Sequence, residues 1–443
     1  MSLSPTGSSS TAEAVWTCPF CPLLCDRFHP QPRLGGGWQL QGSDCALAQA
    51  GLEEAASHDA ATPQIDGQPA ALGAALAEAA RRLRASRQPL LGGLGTDVAG
   101  ARALHALAQS LGAVSDAAGG AALMQTVRVL QDRGGYTTTL AEVRERADLI
   151  VFVGSWPLPR APELLSRMTA GRTGAPPQLV ALMPSPGTPG AAQVDAALAD
   201  VTPQVPAEAA GLPVSRLALG PDLDLAAALQ QLTALVAGRT VRGPAPALQA
   251  LAAQLHAAQY AVLVWEPAQL GGHAGLLIER LQQLVGLLNA RGRAAGFPVG
   301  GGLGAATANQ VYTWRGGLPL RSRRGPWGQE HEPLALDGER LLADSAVDAL
   351  IWVASYRVAT VPTLAGGPRI VLGLPALAGQ LGEPRNTIFL PVGTPGVHHT
   401  GHLFRTDGVV MLPLHALPER HLPSVAEVAT QLQQALALTE VAA

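Results

Sequence analysis

The sequence predicts an α/β protein with doubly wound parallel sheets, preceded by a small cysteine-rich unit. Short apolar runs that end in Gly, Pro or a small polar residue alternate with helical segments along most of the chain, which is typical of strands buried on both faces. All four cysteines lie within the first 45 residues. The chain has 443 residues and is 47% hydrophobic, enough for roughly two to four domains with their own cores.

The charge composition excludes several classes of function. The 30 basic residues are all Arg, and 33 acidic residues give a net charge of −3. With no basic surplus to neutralise phosphates, the chain is not expected to bind nucleic acid. The absence of Lys excludes Schiff-base chemistry and the lysine-dependent phosphate sites of P-loop proteins and kinases.

The N-terminus predicts no targeting segment. Residues 1–15 are rich in Ser, Thr and Ala and are expected to form a flexible leader. No apolar run along the chain approaches the ~18 residues of a membrane-spanning helix. We therefore expect a cytoplasmic protein with no membrane contact.

Composition shifts along the chain predict its domains. Residues 16–55 form the cysteine-rich, iron–sulfur-type unit, residues 56–245 an α/β domain, and residues 246–443 a second α/β domain with a small C-terminal subdomain. Helices are predicted at 71–86 and 98–111. Strands are predicted at 89–95, 147–154, 260–265, 347–353, 369–373 and 387–390.

Two further expectations follow from this reading. Binding sites are expected at the carboxyl ends of the strands, at 92–97, 154–159, 266–273 and 355–357. Two segments rich in Gly and in Pro or Arg, 171–221 and 300–333, are expected to be long loops or inter-domain segments, and the second could line a cleft.

The cysteine spacing is the strongest signal in the sequence. Cys18, Cys21, Cys25 and Cys45 follow a C-x2-C-x3-C-x19-C pattern. Disulfides are not expected in the cytoplasm, whereas four thiolates from a tight loop and a second turn can enclose a [4Fe–4S] cube or a zinc ion. The spacing favours the cube, since zinc ribbons usually pair C-x2-C with C-x2-C. Zinc and four unoccupied structural thiols remain as alternatives.

Three other motifs each have a structural alternative. The turn 92–97 could receive an anion at the N-terminus of the next helix, but Thr96 or Asp97 as a helix cap is the favoured interpretation. The motif 398–402 contains three His but lacks the glutamate of a zinc-protease helix, which disfavours a metal site. A third set could form a patch for a polyanion or a partner subunit, or a solvated loop: Trp314, Arg315, Arg321, Arg323, Arg324 and Trp327.

Taken together, these motifs resemble a known family. Cys-Pro-x-Cys-x-x-x-Cys-Asp at 18–26, the helix–strand–glycine unit around 92–112, Tyr-Thr-Trp-Arg-Gly-Gly-Leu-Pro at 312–319, and the segments 388–393 and 403–407 occur in the order found in molybdopterin oxidoreductases. Among these, the chain is most similar to the B subunit of formylmethanofuran dehydrogenase. Of these segments, only the cysteine motif is specific to the family by itself. The others support the resemblance because they occur in the same order.

One stretch departs from the redox members of that family. They hold Mo or W through a Cys or selenocysteine placed shortly after a glycine turn, whereas residues 112–121 contain no thiol and no His. Ser115 and Asp116 would offer only harder oxygen ligands, which suit the metal poorly. The resemblance therefore implies that a Mo- or W-pterin is absent and that formate/CO2 redox chemistry is lost.

This pattern resembles the B subunit of the bacterial formyltransferase/hydrolase complex. The resemblance implies a hetero-oligomeric partnership in tetrahydromethanopterin-linked one-carbon metabolism, as in methylotrophy, in which other subunits transfer a formyl group to a methanofuran-like coenzyme and release formate. The chain would be a structural subunit, with no catalytic residues of its own and a [4Fe–4S] cluster on the four cysteines. A redox-active dehydrogenase subunit with a Mo- or W-pterin and a zinc-containing interaction module are the alternatives.

Overall fold

The computed structural model describes residues 15–34, 37–56, 62–184, 205–219, 223–418 and 422–441. The leader predicted at 1–15 lies outside these ranges except for Val15. Within them, no helix is both long and apolar enough to cross a membrane. The described α-helices are α1 Ala46–Ala56, α2 Leu72–Arg84, α3 Val98–Leu111, α4 Gly120–Arg133, α5 Leu140–Arg146, α6 Leu164–Thr169, α7 Leu225–Val236, α8 Pro246–Ala257, α9 Ala274–Asn289, α10 Ala305–Gly316, α11 Gly338–Ala343 and α12 Val425–Val441.

The described strands form two large sheets and two hairpins. Their bounds are β1 His29–Pro32, β2 Trp38–Gln41, β3 Gln64–Ile65, β4 Gln68–Pro69, β5 Pro89–Gly95, β6 Val114–Ser115, β7 Leu149–Val153, β8 Gln178–Met183, β9 Glu208–Ala209, β10 Leu212–Ala218, β11 Tyr260–Trp265, β12 Arg293–Pro298, β13 Ser322–Gly325, β14 Gly328–His331, β15 Ala349–Ala354, β16 Arg369–Gly373, β17 Thr387–Pro391, β18 Gly401–Phe404 and β19 Met411–Leu414.

The larger sheet has nine described strands in the order β14-β13-β6-β5-β15-β16-β17-β3-β4. Its five central strands, from β6 to β17, run parallel, and the edge strands are antiparallel. On one face, alternate strand residues such as Leu91 and Ile351 pack against α2, α3, α10 and α12. On the other face, Leu90 and Leu350 pack against the short helix α11. This period-two alternation buries both faces of the central strands.

The second sheet has six described strands in the order β12-β11-β7-β8-β10-β9. All run parallel except the short edge strand β9. One face carries Val151 and Leu263 and is covered by α7, α8 and α9. The opposite face carries Phe152 and Val264 and packs against α5, α6 and the cysteine-rich segment in one continuous core. These two sheets confirm the predicted α/β class with doubly wound parallel sheets.

The two sheets are interleaved along the chain. The six-stranded sheet is built from residues 149–298, whereas the nine-stranded sheet takes strands from both sides of that stretch. A domain boundary at 245/246, as expected from the sequence, would separate β7 from β11, although these two strands are paired. The nine-stranded sheet is therefore discontinuous in sequence, and the six-stranded sheet is inserted into it.

The two segments expected to be long loops or inter-domain segments contain regular structure, so the long-loop interpretation is wrong for both. Within 171–221 lie β8 and β10, which pair in the six-stranded sheet, while residues 185–204 and 220–222 lie outside the described ranges. Within 300–333 lie helix α10 and the β13–β14 hairpin. Helix α10 has no distinct apolar face, because Ala, Thr and Asn occupy much of it. The sequence therefore lacks the 3.6-residue hydrophobic repeat by which a helix is usually predicted.

The cysteine-rich unit is small and depends on the rest of the fold. It comprises the β1–β2 hairpin, helix α1 and the loop that carries three of the cysteines. The Trp16 indole Nε1 donates a hydrogen bond of 2.7 Å to the Gly396 carbonyl oxygen. The Thr406 amide donates one of 2.9 Å to the Pro22 carbonyl oxygen. These bonds attach the cysteine loop to the C-terminal part of the chain.

Candidate functional site

The loop at 18–25 brings three cysteines together. The Cys18 amide donates a hydrogen bond of 2.8 Å to the Cys25 carbonyl oxygen, which closes the loop. Between them, Leu24 adopts a left-handed backbone conformation with φ of 47°. Cys45 lies directly before α1, and its amide donates to Ser43 Oγ at 3.1 Å. All four cysteines are buried free thiols.

Burial raises the pKa of the three thiols in the loop at 18–25. Burial, followed by the charges of the other three cysteines, raises the pKa of Cys18 well above its ordinary value. Burial also raises the pKa of Cys21 to about 11 and that of Cys25 to about 12. Against this trend, the guanidinium of Arg167 lowers the pKa of both. A metal or cluster would have to supply the positive charge that turns these thiols into thiolates.

The four thiols lie close enough to interact electrostatically. Within the described part of the chain, no group of three or more His, Cys, Asp or Glu side chains is arranged to hold a single metal ion. A tetrahedral zinc ion with Zn–S bonds of about 2.3 Å requires sulfur atoms about 3.8 Å apart. In a [4Fe–4S] cube each thiolate binds a different iron, so the sulfur atoms stand farther apart. Four buried thiols supply the donors that either group requires.

The expected site at the end of β5 is filled by the protein itself. In the nine-stranded sheet the strand order reverses between β5 and β15, where α/β proteins usually bind ligands. Ser355, which follows β15, donates from its amide and its hydroxyl to the Gly95 carbonyl oxygen, at 3.0 and 2.7 Å. The next residue, Tyr356, is 1% exposed and packs with Leu24 of the cysteine loop. The cysteine loop therefore packs against this end of the sheet.

Two neighbouring contacts close the same crevice. Asp97 accepts a hydrogen bond of 3.0 Å from the Gly100 amide, so it caps α3. This confirms the helix-cap interpretation of 92–97. Gly304 has φ of 91°, and a Cβ there would lie 2.4 Å from the Thr96 carbonyl oxygen. Backbone thus approaches backbone where an anion would have to enter.

Residues 112–121 surround a buried ion pair. Asp116 is 4% exposed, and its carboxylate accepts hydrogen bonds from Arg321 Nε at 3.1 Å and from the Gly338 amide at 2.9 Å. Arg321 Nη1 also lies 2.7 Å from Asp337 Oδ2. Burial raises the pKa of Asp116 to about 6, and Arg321 acts in the opposite direction. Arg321 thus engages the carboxylate that could have served as a substitute metal ligand.

The predicted patch of Arg and Trp residues at 314–327 contains both buried and exposed side chains. Arg321 is 3% exposed, so including it in a surface patch was wrong. Arg323 pairs with Glu330 at 2.7 Å. The remaining members of the predicted patch are exposed: Trp314, Arg315, Arg324 and Trp327. Trp327, at the tip of the β13–β14 hairpin, is 96% exposed.

The histidine motif at 398–402 has a structural role. His398 is 3% exposed, and its Nδ1 accepts a hydrogen bond of 2.9 Å from the Thr394 amide. His402 lies on β18 with its side chain exposed. The disfavoured metal interpretation of this motif gains no support, because the two side chains lie in different environments.

At the end of the six-stranded sheet, two predicted strand ends meet. Here the strand order reverses between β7 and β11. Glu266 is 4% exposed and accepts 2.6 Å hydrogen bonds from Ser155 Oγ and Arg160 Nε. This buried ion pair joins segments 154–159 and 266–273. Because Ser155 and Arg160 donate to both oxygens of the Glu266 carboxylate, these contacts hold the loop after β7 and the loop after β11 together.

Sequence reasoning missed the residue that links the cysteine loop to the sheet. Arg167 on α6 pairs with Asp26 at 2.8 Å, one residue beyond the last loop cysteine. It stands 141 positions from Asp26, and its own neighbourhood carries no motif. Only the packing of α6 against the cysteine-rich segment identifies it.

The fold and the cysteine loop define a protein with the architecture of molybdopterin enzymes. Acetylene hydratase from Pelobacter acetylenicus superposes with a TM-score of 0.57 over 97% of this chain and 70% of its own, at 11% identity, which shows the fold alone. No family model matches the sequence.

Two other comparisons identify the family. The chain is 30% identical over 371 residues to the B subunit of the formyltransferase/hydrolase complex Fhc of Methylorubrum extorquens, covering 82% of this chain and 94% of that protein. A chain from the crystal structure of the FhcABCD complex of that organism with methylofuran superposes with a TM-score of 0.72 at 27% identity, covering 86% of this chain and all of the other. The chain belongs to the family of B subunits of the formyltransferase/hydrolase complex.

Proposed function

We propose that this chain is the non-redox, structural B subunit of a formyltransferase/hydrolase complex in tetrahydromethanopterin- and methanofuran-linked one-carbon metabolism, in the cytoplasm. The observation that carries the proposal is the 30% identity to the Fhc B subunit across 94% of that protein. Other subunits of the complex would transfer the formyl group and release formate. This chain would hold them in place.

The strand-end crevice supports the absence of a Mo- or W-pterin. Tyr356 and Leu24 fill the crevice between β5 and β15, and Asp116 is engaged by Arg321. Two open depressions of about 390 Å³ each lie elsewhere, beside α6. Residues 112–121 offer no thiolate for a pterin-bound metal, so we assign no reaction step to such a group.

For the cysteine site, we propose a [4Fe–4S] cluster with a structural role. Cys18, Cys21, Cys25 and Cys45 would hold it, and the partly buried Arg167 would offset part of its negative charge. The C-x2-C-x3-C-x19-C spacing favours the cube, and zinc remains the alternative. Such a cluster would stabilise a segment that has little core of its own.

Metal analysis tests both proposals together. The native complex, purified without oxygen, is analysed for Fe, Zn, Mo and W. About four Fe per chain with no Mo or W is expected, since each cube contains four irons. One Zn per chain would refute the cluster proposal and support a zinc site. Stoichiometric Mo or W would overturn the non-redox assignment.

The exposed end of α10 and the β13–β14 hairpin are the proposed contact surface for a sister subunit. Trp314 and Trp327 are 52% and 96% exposed, and Arg315 and Arg324 beside them are also exposed. Tryptophan and arginine are the residues that most often dominate binding energy at interfaces. The two guanidinium groups suit an acidic segment of the partner.

A further inference from the structure

A depression beside the cysteine loop is lined mainly by arginines. It has a volume of about 390 Å³. Its charged lining residues are Arg27, Arg144, Arg167, Arg405 and Asp26. Leu140 and Ala141 of α5 and Val15 complete the wall. Nothing in the proposed scaffold role accounts for four guanidinium groups around one depression.

Two of the arginines are fixed in the wall of this arginine pocket. The Arg167 side chain is 11% exposed and is held by Asp26 at 2.8 Å. The Arg405 side chain is 10% exposed, and its Nε lies 2.9 Å from Asp407 Oδ2. A guanidinium carries five N–H donors, so each keeps donors beyond these bonds. Their positions are set before any ligand arrives, which lowers the entropic cost of binding.

The other two arginines stand at the rim. Arg27 is exposed and makes no ion pair within the described ranges. Arg144 is 35% exposed and contacts Glu145 at 2.8 Å, an exposed pair of little energetic weight. Neither side chain makes an ion pair with a buried partner, so both can turn toward a ligand at little cost. The pocket therefore combines a preorganised floor with two rim cations.

We propose that the arginine pocket binds an oxyanion with at least two negative charges, as carried by a di- or tricarboxylate or by phosphate. Planar guanidinium groups form paired hydrogen bonds with both carboxylate and phosphate. A volume of about 390 Å³ accommodates a small molecule of this class. The site requires neither a pterin nor a sister subunit, so its failure would leave the scaffold assignment intact.

Isothermal titration of the full-length chain tests the proposal. Citrate and inorganic phosphate are the probes, acetate is the monovalent control, and the titrations are repeated at high salt. One-to-one binding of citrate or phosphate is expected, with weaker binding at high salt because the rim is solvent-exposed. Citrate alone would define the ligand as a polycarboxylate, and phosphate alone as a phosphate. Absence of saturable binding by both, or equal binding of acetate, overturns the proposal.

Matched variants locate the binding. Arg27→Gln with Arg144→Gln removes the two rim charges without touching a buried contact, and affinity is expected to fall roughly tenfold or more. Arg239→Gln with Arg242→Gln removes two exposed charges next to α7 and should leave affinity unchanged. Thermal unfolding by circular dichroism confirms that both variants fold. Equal loss of affinity in the two double variants would show non-specific attraction and refute the site.

Discussion

Replacing Arg321 with Met tests whether residues 112–121 have a structural role. The change removes the cation that contacts Asp116 at 3.1 Å and Asp337 at 2.7 Å, and leaves a carboxylate that is only 4% exposed. Breaking a buried pair by removing one partner typically costs about 3–5 kcal/mol. We expect a loss of this size in the free energy of unfolding at pH 8, measured by urea denaturation.

The pH dependence of that loss follows from the pKa of Asp116. The folded state raises this pKa to about 6, so protonation of Asp116 stabilises the fold at low pH, and this stabilisation is lost as the pH rises toward 6. Without Arg321 the pKa rises further, and the loss of stability extends to higher pH. The Arg321→Met variant should therefore lose more stability at pH 8 than at pH 5, where the Asp116 carboxyl is largely protonated.

A matched control separates this pair from an exposed one. Arg340 pairs with Asp344 at 3.3 Å with both side chains about 60% exposed, and Arg340→Met should cost less than about 1 kcal/mol. If Arg321→Met costs as little, or costs the same at both pH values, the buried pair does not hold this region together. If an intact complex with Asp116→Asn loses formate release, the structural assignment of residues 112–121 is wrong.

Three further predictions address the strand-end crevice, the cysteine loop and the surface. Gly304→Ala should lower the free energy of unfolding by about 2 kcal/mol or more, because the new Cβ meets backbone at 2.4 Å, whereas Gly317→Ala, with open space around it, should cost about 1 kcal/mol from backbone strain alone. Equal losses would contradict the close approach. Cys21→Ser should lower both the iron content and the thermal midpoint, and a stable, metal-free variant would show that the site has no structural role. Trp327→Ala should weaken assembly with the sister subunits, measured by analytical ultracentrifugation, and leave the thermal midpoint of the isolated chain unchanged; unaltered assembly would place the interface elsewhere.

The sequence allowed the prediction of elements whose stability is local. Helix α3 is found at Val98–Leu111, as predicted, because Asp97 caps its start and Gly112 takes the left-handed conformation at its end. The apolar run 260–265 is β11, since six buried residues in sequence suit a strand covered on both faces. Such signals lie within a few residues of one another and can be read directly.

Contacts between distant residues could not be predicted in this way. Arg321 lies in an Arg-rich, Gly-rich stretch that is typical of a surface loop, yet it is buried against Asp116, 205 positions earlier. Strand β8 was hidden by the Pro and Gly residues around it. At the candidate site, the sequence supplied the four cysteines but not Arg167 or the contact of Leu24 with Tyr356. Burial of such residues depends on the packing of whole elements.

The interleaving of the two sheets has a consequence for how the chain is made. Strand β5 leaves the ribosome early, but its partner β15 follows about 260 residues later. The six-stranded sheet, in contrast, is complete once residue 298 has emerged. Because closing short loops is faster than closing long ones, the inserted sheet should fold first, while β5 stays exposed during synthesis. A nascent chain of this protein would then depend on chaperones longest at β5 and the helices that cover it.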